Sequence, residues 1–154
     1  MGNQENYSEG IYVGYRWYDK EQTAPLFPFG HGLSVTSFAY RDLAVRRQSH
    51  GGLTVSFTLK NTGTPRRRRG SPRSTSARAR GPPSRRRCAR SAATRKCGCA
   101  PGQSTTVRIR VDAQQLKYWN TSSHSWVLGT GKRDVWVGSS SRTLPLQGSV
   151  GVGR

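Results

Sequence analysis

The sequence predicts an all-β sandwich, incomplete and interrupted by a disordered Arg-rich insert, and three observations carry that reading. From Leu53 to Lys60, Leu53, Val55, Phe57 and Leu59 alternate strictly with Thr54, Ser56, Thr58 and Lys60, the period-two signature of a half-buried strand. The pattern returns after Pro101-Gly102, where Val107, Ile109 and Val111 alternate with Arg108, Arg110 and Asp112. Short runs of this kind lie between Gly, Pro, Asn and Ser turn signals, and no stretch repeats apolar residues at helical spacing.

Taken in order, residues 7–19 are rich in aromatic and β-branched types (Tyr7, Ile11, Tyr12, Val13, Tyr15, Trp17, Tyr18), a composition that favours extended structure. A turn follows from Asp19 to Pro25. Pro25 to Ser34, with two prolines and two glycines, fits neither helix nor central strand and reads as an ordered apolar loop. Asn61-Thr62-Gly63 ends the strand that starts at Leu53. Asp134 to Gly138 and, more weakly, Thr143 to Val150 suggest two further strands separated by Gly138-Ser139-Ser140-Ser141.

Length and charge bound the rest. At 154 residues the chain is long enough for one domain with a real core. A net charge of +19 would ordinarily point to nucleic acid or an acidic surface. Yet residues 65–99 hold 13 of the 26 Lys and Arg and no Asp or Glu, so the remainder carries only +6. This segment has no Val, Ile, Leu, Met, Phe, Tyr or Trp, so it lacks side chains large enough to offset its ordering entropy and is expected not to fold by itself. Residues 1–10 contain no apolar run and nowhere do 18 apolar residues run together, so the chain as written reads as soluble and cytoplasmic, without signal peptide or membrane contact. Cys88, Cys97 and Cys99 are an odd set in the least foldable region, which argues against a disulfide framework.

Tyr7-Ser8-Glu9-Gly10-Ile11-Tyr12-Val13-Gly14-Tyr15-Arg16-Trp17-Tyr18-Asp19 and Pro25 to Ser34 resemble the junction preceding the last domain of family 3 glycoside hydrolases. Val55 to Gly63, Ala100-Pro101-Gly102-Gln103-Ser104 and Val137-Gly138-Ser139-Ser140-Ser141-Arg142 are similar to that family's fibronectin type III-like module, of immunoglobulin-like fold. The resemblance covers roughly residues 7–63 and 100–150. It implies that residues 1–40 close a preceding catalytic-region domain and its linker, that 41–150 form the module, and that 151–154 are a tail. Lys132-Arg133-Asp134 departs from the family's usual Pro-Gly-Tyr-like approach to the penultimate strand.

Between the matching halves the family would place strands with apolar residues, where this chain has Arg, Pro, Ser, Ala and Cys. A reading frame starting one nucleotide earlier forms each codon from the last base of the preceding codon and the first two of the current one. Applied to Pro72-Arg73-Ser74-Thr75-Ser76-Ala77, it admits Ala-Gln-Val-Tyr-Leu-Gly; applied to Ser91 through Cys99, it admits Leu-Arg-Gly-Tyr-Ala-Lys-Val-Arg-Leu. Both strings fit the family, so compensating single-base shifts near residues 64 and 99, in the gene or in its sequencing, would account for the segment.

The resemblance implies a parent that hydrolyses β-linked glucosides or related glycosides. Retaining glycosidases need two carboxyl groups about 5 Å apart across the sugar. The family places both upstream, so none of Glu5, Glu9, Asp19, Glu21, Asp42, Asp112 or Asp134 inherits a catalytic role; Asp19 and Glu21 flank a turn, where solvated carboxylates are ordinary. No catalytic, cofactor-binding or metal residue is therefore assigned, and no cofactor is expected. His31 is read mainly as a residue that holds its loop, with a place near substrate in the intact enzyme as the alternative, and His50 and His124 as surface groups. The spacing C-x8-C-x-C is not a zinc signature. Arg66 to Arg69 and Arg85 to Arg87 would attract polyanions without specificity, since no aromatic residues are interleaved for base stacking. Trp119 and Trp126 are read as core or hairpin residues, sugar stacking being the alternative. The expected partners are the upstream catalytic domains of the parent, with a basic nucleic-acid-binding protein or a stand-alone carbohydrate-binding module as alternative functions.

Overall fold

The computed structural model describes residues 8, 10, 12–32, 34, 36–63, 75–80 and 91–152. Glu5, Glu9, Cys88 and the stretches 64–74 and 81–90 of the Arg-rich segment lie outside the described residues. In chain order the elements are α1 (Tyr15–Lys20), β1 (Phe38–Arg47), β2 (Leu53–Asn61), β3 (Thr75–Arg80), β4 (Ser91–Cys97), β5 (Ser104–Val111), α2 (Ala113–Leu116), β6 (Lys117–Asn120), β7 (Ser125–Leu128), β8 (Gly131–Gly138) and β9 (Leu146–Val152). They form a three-stranded sheet β1-β2-β5, a four-stranded sheet β4-β3-β8-β9 and a separate β6-β7 hairpin, with all neighbours antiparallel.

The alternation in the sequence decides where the core sits. Leu53, Val55, Phe57 and Leu59 of β2 are buried, and the register sets Val55 opposite Ile109 and Phe57 opposite Val107 on β5. Val135, Val137 and Val152 close the same cluster from the facing sheet. Each such side chain contributes about 1.5–3 kcal/mol when fully buried. The inward sets read from the sequence are thus the inward sets of the fold. β1, which the sequence pattern does not single out, is irregular: a bulge between Arg41 and Ala44, with Asp42 at φ 56°, leaves Leu43 packed on the core while its neighbours on either side stay exposed. Gly148 on β9 lies against it; a Cβ there would stand 3.1 Å from Leu43 Cδ2.

Outside the Arg-rich segment the fold differs from the sequence expectations at three places. Residues 15–20, expected to be extended, are helical, because Gly14 takes φ 62° and its carbonyl accepts from Trp17 N at 3.0 Å. Local hydrogen bonding here outweighs the β preference of aromatic residues. β8 begins at Gly131, not Asp134, since Arg133 folds back and donates from Nη2 to the Leu116 and Gly129 carbonyls at 3.1 and 3.0 Å. β9 starts at Leu146, not Thr143, because Thr143 N is drawn into a turn by Ser140 Oγ at 2.9 Å.

The Arg-rich segment, expected as a disordered insert, carries β3 and β4. β3 pairs with β8 through Arg78↔Gly138, Ala79↔Val137 and Arg80↔Trp136, and β4 pairs with β3. Ladder hydrogen bonds are made by the main chain and exclude only proline. All four prolines of the segment, Pro65, Pro72, Pro82 and Pro83, fall outside both strands. The segment adds two strands to the sheet that contains β8 and β9.

The outward face of β1-β2-β5 is polar. Arg46, Thr54 and Arg110 lie in one row across the three strands, Ala44, Ser56 and Arg108 in the next, then Arg41, Thr58 and Thr106, then Ala39, Lys60 and Ser104.

Candidate interdomain contact site

Two sequence motifs far apart in the chain meet in the fold: the segment from Gly14 to His31 and the β8–β9 connection. α1 ends in a tight turn, with Glu21 N donating to Trp17 O at 2.9 Å, Thr23 N to Tyr18 O at 3.0 Å, and Gln22 at φ 53°. The chain then runs out through Pro25 and returns, so that Phe29 stacks on Tyr15 with ring centroids 5.6 Å apart. Arg142 reaches into this fold. Its Nη2 donates to the carbonyls of Thr23 at 2.9 Å and Tyr18 at 3.4 Å and lies 3.5 Å from Asp19 Oδ1. Ser141 N donates to Phe29 O at 2.8 Å.

The connection that presents Arg142 is itself rigid. Ser140 Oγ accepts from Arg142 N and Thr143 N, and Ser140 and Ser141 are buried. Gly138 is required: a Cβ there would collide with the Thr143 carbonyl oxygen and stand 2.8 Å from Leu144 Cα. Tyr40, stacked on Phe57, approaches this connection near Ser139. Its hydroxyl is buried, near the Ser139 hydroxyl but without a well-formed hydrogen bond to it; burial raises the phenol above its ordinary value, the approach of Ser139 partly offsets this and the charge of the Cys97 sulfur adds to it.

The clasp holds its segment with apolar side chains turned outward. Leu26 is 90% exposed and Phe27 72%, and Val13, Trp17 and Phe29 are exposed as well. Exposed apolar surface gathered on one segment is the kind that contact sites carry. His31 lies beside it with its ring 5.8 Å from that of Phe27, and its backbone N–H donates to Pro28 O at 2.8 Å.

The other singled-out residues do not converge here. Asp19 engages Arg142, whereas Glu21 pairs with Lys20 at 3.2 Å. Asp112 caps α2 in a capping box with Gln115, Asp42 sits in the β1 bulge, and Asp134 lies on β8. His50 and His124 are exposed. Cys97 and Cys99 are in no disulfide, and Cys99 Sγ donates to Gln103 O. Among the described residues no three His, Cys, Asp or Glu side chains group together, and no helix is long and apolar enough to cross a membrane. Trp119 and Trp126 are cross-strand partners in the β6-β7 hairpin, edge to face at 5.8 Å and about half exposed.

Sequence reasoning missed two residues. Arg142 was legible only as part of a motif, because its partners lie 119 and 124 residues away. Asn61 looked like a turn residue, yet it is buried with both ends of its amide engaged: Oδ1 accepts from Thr36 Oγ1 and Gly63 N, and Nδ2 donates to Cys99 O at 2.8 Å.

These two sheets and their connections define a fibronectin type III-like domain, whose family model matches residues 93–141. Probable beta-glucosidase K of Emericella nidulans is 36% identical over 94% of this chain and 17% of its own length. Thermostable beta-glucosidase B of Acetivibrio thermocellus is 33% identical over 95% of this chain and 20% of its own. The β-glucosidase DesR from Streptomyces venezuelae, solved in complex with D-glucose, superposes with a TM-score of 0.87 at 38% identity, covering 99% of this chain and 20% of that one. The chain corresponds to a C-terminal part of family 3 β-glucosidases, and spans about a fifth of the length of the relatives it matches.

Proposed function

We propose that this chain acts as a bracing module for the catalytic domains of a family 3 glycoside hydrolase that cleaves β-glucosides, and that it has no glycosidase activity of its own. The observation that carries this is the exposed apolar segment around Leu26 and Phe27, pinned to the sandwich by Arg142 and Ser141. A segment held so firmly yet covered so little suits a partner that lies upstream in the relatives. On this reading residues 1–34 close the preceding domain and the sandwich begins with β1, slightly before the boundary at residue 41 expected from the sequence.

The test is complementation. The Streptomyces venezuelae β-glucosidase, truncated to remove its corresponding C-terminal fifth, is mixed with the 154-residue chain. The chain is expected to associate with the truncated enzyme and restore its glucosidase activity, and a Leu26→Ser/Phe27→Ser variant is expected to lose at least tenfold in association, since two buried apolar side chains contribute roughly 3 kcal/mol or more. Absence of any complex at concentrations near 100 μM, or an unaffected variant, rejects the proposal.

The frame shift is a second part of this proposal. The shifted frame recovers family-like strings at 72–77 and 91–99, and the strands of the segment lie at 75–80 and 91–97. Within the recovered strings, residues 75–77 lie in β3 and 91–97 in β4, where Thr75, Ser76 and Ala77 pair with Cys97, Lys96 and Arg95. Resequencing the gene across codons 64–99 separates a genuine mutation from a misread sequence.

A further inference from the structure

A second basic surface, apart from the Arg-rich segment, lies on the sheet that carries most of the buried core. On the outward face of β1-β2-β5, Arg41, Arg46, Arg108 and Arg110 are exposed and Lys60 is half-buried. The register brings Arg46 and Arg110 to either side of Thr54, and sets Arg108 beside Ser56. Neighbouring strands are about 4.8 Å apart and alternate residues along a strand about 6.8 Å, so the cationic groups form a regular two-dimensional array. No carboxylate occupies any of the four rows. The described acids at its margin are Asp42, in the bulge beside Arg41, and Asp112, beyond the end of β5 and engaged in capping α2.

We propose that this face binds a carboxylated polysaccharide. The guanidinium forks match carboxylates in bidentate fashion, and the Ser56 and Thr58 hydroxyls between them match sugar hydroxyls, while Thr54 Oγ1 already accepts from Gln48 Nε2 at 2.7 Å. Charge complementarity selects an anionic polymer over a neutral one. The absence of any aromatic residue in the four rows removes the stacking platform that single-stranded nucleic acid uses, and a sheet face offers no helix or ribbon to enter a duplex groove. The choice of a sugar polymer rests on the glycosidase reading above; the array itself does not.

Binding of the full chain to polygalacturonate, a neutral β-glucan and a duplex DNA is measured at 150 mM salt. An R46Q/R108Q/R110Q variant is expected to bind polygalacturonate about tenfold or more weakly, while an R66Q/R67Q/R68Q/R69Q variant changes by less than about threefold and R46K/R108K/R110K recovers most of the affinity. On the unsubstituted chain, polygalacturonate is expected to shield Arg46, Arg108 and Arg110 from phenylglyoxal, read by peptide mass mapping, more than it shields Arg66 to Arg69. An unchanged face variant, loss concentrated in the Arg66 to Arg69 variant, equal binding of the neutral glucan, or tighter binding of duplex DNA overturns the proposal. Any of those results alongside intact complementation of the truncated glucosidase leaves the bracing function standing; a failed complementation with polygalacturonate binding intact does the reverse.

Discussion

Asn61 shows how much one residue can hold together at the end of a strand. Its side chain ties the β2 terminus to Thr36, Gly63 and the Cys99 carbonyl, and its main chain exchanges hydrogen bonds with Gln103 and Gly102. It is only 3% exposed, so removing its amide leaves the Cys99 carbonyl and Gly63 N–H without that partner. Asn61→Ala is expected to cost about 2–4 kcal/mol, measured by urea unfolding against the unsubstituted chain, and a loss below about 0.5 kcal/mol would show that water replaces the amide. The sequence revealed the turn at Asn61-Thr62-Gly63 and nothing of this role, because the partners come from segments 25 residues before it and 38 after it. Arg142 was hidden for the same reason. A side chain whose partners are distant in sequence leaves no periodic trace.

At the scale of elements, what could be read was what is periodic. β2 and β5 announced their faces through strict alternation, and both faces are as expected. α1 could not be read, since six residues of aromatic composition became a helix through a single glycine turn. β3 and β4 could not be read either, because strand pairing with β8 uses the main chain, which is indifferent to the apolar content that sequence patterns report. The β6-β7 hairpin stands apart from both sheets, and a two-stranded unit is marginal without side-chain support. The Trp119–Trp126 pair supplies that support at a directly opposed position. A double-mutant cycle with Trp119→Ala and Trp126→Ala is expected to give a coupling of about 0.5–1.5 kcal/mol in chain stability; additivity within about 0.3 kcal/mol would mean that the rings stabilise independently.

For the molecule as a whole, the charge of +19 describes two unlike things. Half of the basic residues lie at 65–99, in the segment whose shifted frame recovers family strands; part of the remainder forms the array on β1-β2-β5. The second lies on the sheet of the two strands whose alternation also builds the core. If the segment stands where apolar strands belong, restoring them should deepen the core. A chain carrying Ala-Gln-Val-Tyr-Leu-Gly at 72–77 and Leu-Arg-Gly-Tyr-Ala-Lys-Val-Arg-Leu at 91–99 regains about three buried apolar side chains, worth roughly 5–9 kcal/mol. Its melting temperature is expected to rise by about 10 °C or more, followed by circular dichroism. Equal melting temperatures, or a parent chain that resists protease across 65–99 and unfolds in one cooperative step, would show that the Arg-rich strands already suffice.

The bond between Arg142 and the Thr23 carbonyl also sets an order of events during synthesis. Thr23 leaves the ribosome 119 residues before the side chain that fastens its turn exists. At about 5–20 residues per second that interval is roughly 6–24 s. Throughout it, Leu26 and Phe27 belong to a segment without its clamp, and any upstream domain that has already folded meets them first. The proposed contact with a preceding domain would therefore be free to form before the sandwich does, the emerging β8–β9 connection closing over it afterwards.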